Sequence, residues 1–511
     1  MQATGLVPFM ASVMFRNNVF ASGSNSPIPP DETREFFYRP QGAWAADFIP
    51  LFYNGRYELF FLLDWRDAEK HGEGVPWYRI STTDFVDFTE HGQMLARGTV
   101  DEQDLYVFTG SALRANNKFH IFYTGHNPHL ADKGKPMQGI MHAVSDDLLT
   151  WQKLPEQTFF ASTDRYEKDD WRDSFVFYEP ESAKYYMLIA ARNKTGIPRR
   201  RGLTACCSST DLAHWTVEKP MYDPGLYFTH ECPDLFKMGD WWYLVFSEFT
   251  DKVRTRYRMS RSWRGPWAIP ERDDFDGHAF YAAKTASDGK QRFIFGWNPT
   301  RDGSKDTGGW QWGGNLVVHE VWQQPNGVLA VKMPVSVAAA FTIAQPIAFK
   351  QGSGNFEGIS NGVVLTGVGT YTVVSAGAMP TLCFISCTFM PNTLSHGDFG
   401  IWFYGNNNFD QAYYIRFEPL SGRLVFDKWP RERSEVPMMA ELERPIKFQP
   451  NKGINVKLII DGAKGVVYVD DVVAMNFRAY DVSENNWGFF VNDANVRITN
   501  VALKTKVGQQ G

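Results

Sequence analysis

A repeat in residues 54–297 constrains the fold more than any other feature of the chain. Four segments begin with Ser and reach an aromatic residue six or seven positions later. They start at Ser81, Ser145, Ser209 and Ser260, which are 64, 64 and 51 residues apart. Between them recurs a turn followed by an aromatic-rich alternating strand, in copies that begin at Asn54, Asn117, Ala183, Gly239 and Gly289. Such spacing indicates one supersecondary unit used several times.

The repeated unit predicts an all-β fold, a five-bladed β-propeller followed by a C-terminal β-sandwich. Each unit would form one antiparallel blade, and a ring of blades leaves only short sheet edges exposed. No long i, i+3, i+4 apolar pattern predicts a helix. We place a lead-in at 1–35, the propeller at 36–335, a linker at 336–350 and the sandwich at 351–511. A single large sandwich with chance similarity between its parts is the alternative.

Short alternating strands bounded by turn residues predict the sandwich. They span residues 363–371, 382–390, 400–404, 411–417, 456–461, 465–469, 487–491 and 496–503. Before them, residues 300–314 are predicted to form a Gly-rich loop that carries Trp310 and Trp312.

Composition excludes several classes of protein. The chain has 52 Lys and Arg residues against 57 Asp and Glu residues, so it lacks the basic field of a nucleic-acid binder or acidic-membrane binder. No apolar run reaches the ~18 residues of a membrane-spanning helix. Five cysteines, an odd number, do not make a disulfide framework. The apolar stretch 5–15 has no preceding Lys or Arg, so we expect no signal peptide and a cytoplasmic location.

The sequence also bears on cofactors and partners. His-x-x-x-His and Cys-x-x-Cys spacings are absent, so we expect no metal and no cofactor. Aromatic residues make up 15% of the chain, which suits either stacking on sugars or an aromatic core. We therefore expect a small carbohydrate partner, and neither nucleic acid nor membrane. Formation of a homo-oligomer through the sandwich is left open.

Three acidic residues in unusual surroundings are candidates for glycosidic chemistry, which needs two carboxyl groups. Asp47 is the only charge in the apolar run 44–53, where an unpaired charge is costly unless it has a function. Asp173 follows Arg172, whose charge favours the ionised carboxylate. The alternatives are a strand-entry or turn Asp at 47 and a surface Arg–Asp pair at 172–173.

Glu231 is the third candidate. It stands before Cys232 and Pro233 in an aromatic-rich segment, where a carboxyl is poorly solvated. Desolvation raises the pKa of a carboxyl, which suits a general acid near neutral pH. The alternative is a buried Glu that caps backbone groups.

Together these segments resemble glycoside hydrolase family 32, the β-fructofuranosidases, over about residues 40–335. Residues 231–236, Glu-Cys-Pro-Asp-Leu-Phe, match the family's acid motif in full, and residues 172–173 match the start of its Arg-Asp-Pro motif. Trp44 and Asp47 match two positions of the nucleophile motif Trp-Met-Asn-Asp-Pro-Asn-Gly. Residues 108–111 resemble the Phe-Ser-Gly-Ser segment, and residues 281–285 with 295–297 resemble the fifth-blade signature.

The resemblance implies a retaining glycosidase or fructosyltransferase. Asp47 would attack the anomeric carbon and Glu231 would act as acid and then base, which for retention requires carboxyls about 5–5.5 Å apart. Asp173 would bind ring hydroxyls more tightly as the transition state forms. The implied substrate-binding residues are Trp44, Trp77, Phe108, Ser111, Arg172, Trp297 and Trp310. Trp310 and Trp312 would form a rim platform or anchor their loop.

The chain departs from the family pattern around the sugar pocket. Ala46 and Phe48 flank Asp47 where the family has Asn and Pro, Ser174 replaces the Pro of Arg-Asp-Pro, and Leu62 replaces a Gln. These changes predict an unusual fructoside or related furanoside more than a different reaction. Two alternatives stay open, an inverting arabinofuranosidase-like enzyme and a non-catalytic sugar-binding propeller.

Overall fold

A computed structural model describes residues 35–391, 397–431, 442–449, 452–482 and 484–507. All of the expected lead-in except Glu35 lies outside these residues, as does the apolar stretch 5–15. The described chain is mostly antiparallel β-structure with two short α-helices, α1 (Ala68–His71) and α2 (Val335–Ala339). Short 3₁₀ helices span Pro128–Lys133, Pro155–Gln157, Pro198–Arg200 and Asp302–Ser304. No described helix has the length and apolar character needed to cross a membrane.

The N-terminal part consists of five antiparallel meanders. The first contains β1 (Trp44–Tyr53), β2 (Arg56–Asp64), β3 (Trp77–Thr82) and β4 (Thr89–Leu95), and the second β5 (Tyr106–Ala115), β6 (Lys118–His126), β7 (Gln138–Ser145) and β8 (Gln152–Lys153). The third contains β9 (Tyr166–Glu179), β10 (Lys184–Asn193), β11 (Gly202–Ser209) and β12 (Thr216–Val217), with β13 (Tyr222–Tyr227) beside β11. The fourth contains β14 (Glu231–Met238), β15 (Trp241–Glu248) and β16 (Arg254–Ser260). The fifth contains β17 (Tyr281–Ser287), β18 (Arg292–Arg301), β19 (Trp310–Gln323) and β20 (Leu329–Lys332).

The first strands of the meanders lie next to one another in cyclic order. Strand β1 contacts β5, β5 contacts β9, β9 contacts β14, β14 contacts β17, and β17 contacts β1. Strand β19 also pairs with β1 through Ala45 and Gly314, which joins the fifth and first meanders in one sheet.

Each first strand carries a β-bulge at the same place. The pairing with the second strand shifts between Ala46 and Ile49, Phe108 and Gly110, Arg172 and Phe175, Glu231 and Asp234, and Tyr281 and Lys284. In four of the five, the bulged residue has a left-handed backbone, with φ of 47° at Asp47, 59° at Asp173, 51° at Cys232 and 51° at Ala282. Bulges of this kind bend a strand and redirect its side chains. The repeat therefore presents equivalent side chains along the five adjacent first strands.

Three of the four repeated Ser segments form one type of turn, and the copy at Ser260 has a simpler version in which Ser262 takes the place of the Asp. A hydroxyl and an Asp carboxylate each accept hydrogen bonds from two following backbone N–H groups. The pairs are Thr82 with Asp84, Ser145 with Asp147, and Ser209 with Asp211. The first copy thus starts at Thr82, one residue later than the predicted Ser81. The aromatic that ends a segment packs on the preceding meander, as Trp151 does on Phe60 and Trp215 on Phe122.

The C-terminal part contains two antiparallel sheets. One has eight strands, β21 (Phe341–Ala344), β23 (Asn355–Ile359), β24 (Gly362–Thr366), β26 (Leu382–Pro391), β31 (Ile454–Asp461), β32 (Lys464–Val469), β33 (Val473–Arg478) and β35 (Asn495–Lys506). The other has seven, β22 (Gly352–Ser353), β25 (Tyr371–Ala378), β27 (Asp398–Gly405), β28 (Ala412–Glu418), β29 (Arg423–Trp429), β30 (Leu442–Pro445) and β34 (Asn486–Asn492). Apolar side chains from both sheets share one buried core.

The observed strands include five in the C-terminal part that were not predicted, β22, β23, β29, β30 and β33, and they differ from the predicted ones in three further places. The predicted strand 363–371 is two strands, because a turn at Gly367–Thr370 separates β24 from β25, with Gly369 at φ 69°. The predicted linker 336–350 includes β21, which pairs with β35. The predicted loop 300–314 is shorter, since β18 runs to Arg301 and β19 begins at Trp310.

A buried polar network joins the two parts of the chain. Asp276 precedes the fifth meander and accepts a hydrogen bond from the backbone N–H of Asn476 in β33 at 2.9 Å. Its other carboxylate oxygen lies 3.0 Å from His319 Nε2, and His319 Nδ1 lies 2.8 Å from the Tyr468 hydroxyl. Arg444 donates to the carbonyl of Asp276 at 2.6 Å. These contacts hold the fifth meander against the eight-stranded sheet and its neighbour.

Candidate active site

The bulge of β1 turns Asp47 towards the second and fifth meanders. Its Oδ2 accepts a hydrogen bond from the Thr109 hydroxyl at 2.6 Å, and its Oδ1 accepts one from Trp297 Nε1 at 2.9 Å. The side chain is half-buried. Both carboxylate oxygens therefore have fixed directions, which defines the orientation of the carboxyl plane.

The bulge of β9 positions Asp173 between the second and fourth meanders. Its backbone N–H donates to the Thr124 hydroxyl at 2.8 Å, and its Oδ2 accepts the N–H of Cys232 at 3.1 Å. Arg172 and Asp173 are 7% and 5% exposed, so they are not a surface pair. Their burial favours the functional interpretation over the surface alternative.

Arg172 is held by its own set of acceptors. Its guanidinium donates to Asp170 at 2.6 Å, to the Thr229 hydroxyl at 2.9 Å and to Glu231 Oε1 at 3.1 Å. Burial alone would lower the pKa of Arg172, but the surrounding carboxylates raise it above its ordinary value. Arg172 therefore stays charged and links the third meander to the fourth.

Glu231 stands immediately before the bulge of β14. In addition to the bond from Arg172, its Oε2 accepts a hydrogen bond from the Tyr281 hydroxyl at 2.6 Å. The side chain is 20% exposed, so it reaches solvent although its polar partners are buried. The neighbouring Asp234 accepts both the N–H and the hydroxyl of Thr285, at 2.7 and 2.6 Å, and so fixes β14 against β17.

These contacts close a ring of hydrogen bonds through all five meanders. Thr109 joins the second meander to Asp47 in the first, Thr124 joins the second to the third, and Cys232 and Arg172 join the third to the fourth. Tyr281 joins the fifth to the fourth, and Trp297 joins the fifth to the first. The ring brings Asp47, Asp173 and Glu231 together from distant parts of the sequence.

The three carboxyls influence one another electrostatically. Burial raises the pKa of Asp47 to about 7, against the opposing hydrogen bond from Thr109. The charges of Asp173 and Glu231 contribute to this increase. Burial also raises the pKa of Asp173 and of Glu231 above their ordinary values, although Arg172 acts in the opposite direction on both. Carboxyls with raised pKa values in one cleft are suited to acid–base and nucleophilic chemistry.

Several other predicted site residues lie at or beside this ring. Trp297 contacts Asp47 directly, and the Trp44 ring lies between the guanidinium groups of Arg39 and Arg66, at 4.5 and 4.6 Å. Phe108 stacks on His126 with ring centroids 5.0 Å apart. Ser111 accepts the backbone N–H of Val176 at 3.1 Å and so ties β5 to β9.

Two predicted pocket residues make contacts away from the ring. Trp77 is completely buried beside Phe60, and its Nε1 donates to the carbonyl of Val107 at 3.0 Å. Trp310 packs under Arg301 at 4.1 Å and against the core of the C-terminal sheets. Neither takes part in the hydrogen-bonded ring. Trp312 is half-buried between the core of the first two meanders and the core that the first meander shares with the fourth and fifth.

Four residues that hold the ring, Thr109, Asp170, Thr229 and Tyr281, were not predicted from the sequence. Thr109 and Tyr281 belong to segments on which the family resemblance was based. The sequence therefore pointed to both segments, but it did not indicate that these two residues contact Asp47 and Glu231. Asp170 and Thr229 both bond Arg172, and only the folded chain brings them together. Within the described ranges, no group of three or more His, Cys, Asp or Glu side chains is placed to hold a metal ion.

Comparison with known proteins identifies a family. The model for the N-terminal domain of glycosyl hydrolases family 32 matches residues 38–329. Raffinose invertase from Escherichia coli is 26% identical over 317 residues, which cover 57% of this chain and 62% of that protein. The matches to this and other leading curated relatives span less than two thirds of the relatives' length.

Solved structures share the fold over nearly the whole chain. A variant of fructan 1-exohydrolase IIa from Cichorium intybus, solved in complex with 1-kestose, has a TM-score of 0.72 at 16% identity, covering 93% of this chain and 97% of that one. Sucrose-6-phosphate hydrolase from Lactobacillus gasseri has a TM-score of 0.69 at 15% identity, covering 98% and 97%.

Proposed function

Because the chain belongs to glycosyl hydrolase family 32, we propose that it is a retaining glycosidase that cleaves a β-fructofuranoside. The observation that carries this proposal is the ring of hydrogen bonds that places Asp47 and Glu231 in one cluster with Asp173. Two carboxyls flanking a sugar are what glycoside hydrolysis requires. The names of the relatives, an invertase and fructan and sucrose-phosphate hydrolases, favour a fructosyl substrate.

In the first step, ionised Asp47 attacks the anomeric carbon while protonated Glu231 gives its proton to the leaving oxygen. A covalent glycosyl-enzyme forms, and Glu231 then removes a proton from water or an acceptor sugar that releases the glycosyl group. Thr109 and Trp297 hold the attacking carboxylate in place. Such fixed orientation lowers the entropy cost of the reaction.

The hydrogen bonds of Glu231 determine how it can carry a proton. Arg172 has only donors, so Oε1 remains an acceptor. The Tyr281 hydroxyl can donate or accept, so Oε2 is the oxygen that can hold the acidic proton. Burial raises the pKa of Glu231 despite Arg172, which favours the protonated form that a general acid needs.

Asp173 is proposed to bind sugar hydroxyls rather than to react. Its Oδ2 is occupied by the N–H of Cys232, and Oδ1 has no partner among the described residues, so it remains an acceptor for a substrate hydroxyl. Trp44, Phe108, Ser111 and Arg172 complete the proposed pocket with Trp297. We assign Trp77 and Trp310 to the stability of the pocket wall, on the basis of their buried contacts.

The proposed architecture is a closed five-bladed propeller at residues 36–335 and a sandwich at 351–511. The cyclic contacts of the first strands and the hydrogen-bonded ring support closure, because each meander touches two others in succession and the fifth touches the first. The core shared by the two C-terminal sheets supports the sandwich. Since β21 pairs with β35, the boundary between the two domains is proposed to fall at α2.

Product stereochemistry tests the proposed mechanism. The purified chain is incubated with sucrose, 1-kestose, inulin, levan and aryl furanosides, and the first-formed anomer is followed by NMR. Retention, together with loss of turnover in Asp47→Asn and Glu231→Gln, supports the proposal. The conservative Asp101→Asn, at an exposed site, is the matched control and should turn over normally.

Other outcomes would reject the proposal. Inversion of the anomer would indicate that Asp47 acts as a base on water, as in an inverting furanosidase. Sugar binding without turnover in the unmodified chain would indicate a non-catalytic binding protein. Turnover that survives both substitutions would place the chemistry elsewhere.

A further inference from the structure

An open groove of about 520 Å³ lies on the seven-stranded sheet, on the face turned away from the core. Its floor is aromatic, since Tyr371 stacks on Phe490 and Tyr414 meets the same ring edge-on, with centroids 6.1 and 5.3 Å apart. Trp429 stands at the side of the groove and is 55% exposed, and Tyr371 is 40% exposed. Two large aromatic side chains are thus open to a ligand. The volume lies in the range typical of small-molecule sites.

The sheet register explains why the face is hollow. Phe490 of β34 pairs with Gly400 of β27, and Gly400 pairs with Arg416 of β28. In the next row, Gly488 pairs with Trp402. Gly400 has no side chain between Phe490 and Arg416, whereas the Trp402 ring covers Gly488. A trough therefore runs between the aromatic floor and the strands β28 and β29.

The polar groups of the groove are held in fixed positions. Arg416 donates to Asp427 at 2.9 Å and to Glu418 at 2.8 Å, and Arg431 also donates to Asp427. Asp427 is 3% exposed, so it anchors both guanidinium groups from beneath. Fixed planar donors of this kind are suited to pairs of adjacent hydroxyls.

Asp398, on the neighbouring strand β27, supplies a hydrogen-bond acceptor to the groove. Among the described residues nothing donates a hydrogen bond to its carboxylate. Burial raises its pKa to about 6, and the charge of Glu418 adds to the effect. A ligand hydroxyl that donates to Asp398 would satisfy this group.

The charges of the groove nearly cancel. Arg416 and Arg431 face Asp398, Asp410 and Asp427, whereas the ammonium of Lys428 is paired with Asp306 and Asp481. A phosphate or a polyanion would meet three carboxylates, and a cation would meet two guanidinium groups. Nearly balanced charge, exposed aromatic rings and fixed polar groups together favour a neutral, polyhydroxylated ligand.

One hairpin of the fifth meander links the groove to the strand that carries Asp47. Lys428 of the groove donates to Asp306, which lies in the loop between β18 and β19, at 3.0 Å. Gln311, at the start of β19, accepts from Arg66 at 2.8 Å, and Arg66 packs on Trp44 in the same strand as Asp47. One hairpin of the fifth meander therefore touches both regions.

We propose that this groove is a second carbohydrate-binding site, which holds a neutral oligosaccharide chain by stacking sugar rings on Trp429 and Tyr371. The edge of the sugar would bond Arg416 and Asp398, while the C–H face would lie on the electron-rich aromatic faces. The site anchors a long saccharide beside the catalytic cluster. The choice of fructans as first probes rests on the proposed function. The assignment of the groove as a carbohydrate site does not depend on that function.

Binding to polysaccharides in an inactive background tests the proposal. In the Asp47→Asn chain, affinity electrophoresis and calorimetry measure binding of inulin, levan and a maltooligosaccharide series. We expect one of these polymers to bind, and Trp429→Ala and Arg416→Met each to weaken binding at least about tenfold. Tyr178→Ala, which removes an exposed aromatic outside the groove, is the matched control and should bind as before. Circular dichroism verifies that each variant is folded.

Kinetics of the active chain provide a second readout. Trp429→Ala should leave kcat/KM on a short substrate within about twofold and lower the rate on a polymer. If no fructoside is turned over but a polymer still binds through Trp429, the groove proposal stands and the proposed function fails. If no polymer binds, or if the groove variants bind as well as the parent, the groove proposal is wrong. It is also wrong if Trp429→Ala abolishes self-association of the chain instead, since the face would then be an interface between copies.

Discussion

The side chain of Asp47 lies half-buried beside two other carboxyls, and its pKa of about 7 makes the ionised form costly in the folded state. In the unfolded chain the ordinary value is 3.8, so between these values the folded protein binds more protons than the unfolded one. The contribution of Asp47 to stability therefore falls as the pH rises from about 4 to 7. A carboxylate must be ionised to act as the nucleophile. The proposed function therefore explains why the chain has a carboxyl at a position where its ionisation lowers the stability of the fold.

Replacing Asp47 by Asn should stabilise the fold at alkaline pH. The neutral amide keeps the shape of the side chain and removes the charge, which by the size of the pKa shift is worth about 1–4 kcal/mol at pH 8 and little at pH 4. We expect the melting temperature of Asp47→Asn to exceed that of the parent at pH 8, with a smaller difference at pH 4. Equal melting temperatures at both pH values would contradict the raised pKa.

The Thr109 hydroxyl should set the acidic limb of the activity profile. Its 2.6 Å bond to Asp47 favours the ionised carboxylate, so Thr109→Val should raise the pKa of Asp47 further. A hydrogen bond to a charged group is worth about 1.5–3 kcal/mol, or about one to two pH units. The acidic limb of kcat/KM should move to higher pH by that amount. Thr109→Ser keeps the hydroxyl and should leave the limb in place, and a limb that is unmoved in Thr109→Val would show that another group controls it.

The candidate site could be predicted from sequence only in part. A charged residue in an apolar run is visible in one dimension, and Asp47, Asp173 and Glu231 were found in that way. Nearly every side chain of β3 is buried. The sequence of this strand therefore does not alternate between polar and apolar residues, and it gives no sign that Trp77 faces the core. The partners Thr109 and Tyr281 lie on other strands, and no local pattern connects them with Asp47 and Glu231.

At the scale of the strand and turn, the repeat encodes hydrogen-bonding geometry rather than a particular residue. In three of the turns the first hydroxyl accepts two backbone N–H groups, and Ser or Thr serves equally. Alignment on Ser alone therefore misplaced the first copy by one residue, at Ser81 instead of Thr82. The bulges were not predicted, because a left-handed non-glycine residue such as Cys232 has no sequence signature.

Removing one turn hydroxyl should loosen one meander locally. In Ser209→Ala the N–H groups of Asp211 and Leu212 lose their shared acceptor, which is 4% exposed. The loss of a buried acceptor costs about 1–2 kcal/mol, so amide exchange at residues 211–215 should become about tenfold faster or more. Hydrogen exchange with mass spectrometry measures this. Ser209→Thr should retain protection, because Thr82 occupies the same position in the first copy, and unchanged exchange in Ser209→Ala would contradict the assigned turn.

At the scale of the whole molecule, the interface between the meanders and the C-terminal sheets depends on pairs that are remote in sequence. Asp276 and Asn476 are 200 positions apart, and Arg478 reaches Asn298 across 180. The change to short alternating strands predicts a boundary near residue 351, but it does not predict that the two parts share buried polar groups. An interface of this kind should make the two parts unfold together, because opening it exposes unsatisfied donors and acceptors.

Asp276 provides the test of that coupling. The Asp276→Ala substitution removes the acceptor of the Asn476 N–H and the carboxylate that contacts His319. The side chains of these three residues are at most 1% exposed, so water cannot replace the lost contacts. The cost of stranding buried polar groups is about 3–5 kcal/mol. We expect calorimetry to show a lower melting temperature and two transitions where the parent has one. Asp276→Asn keeps an acceptor for the Asn476 N–H and a polar contact with His319. This variant should therefore lose less stability and should still unfold in one transition. A single transition at the parental temperature in Asp276→Ala would mean that the two parts are held together by their apolar contacts alone.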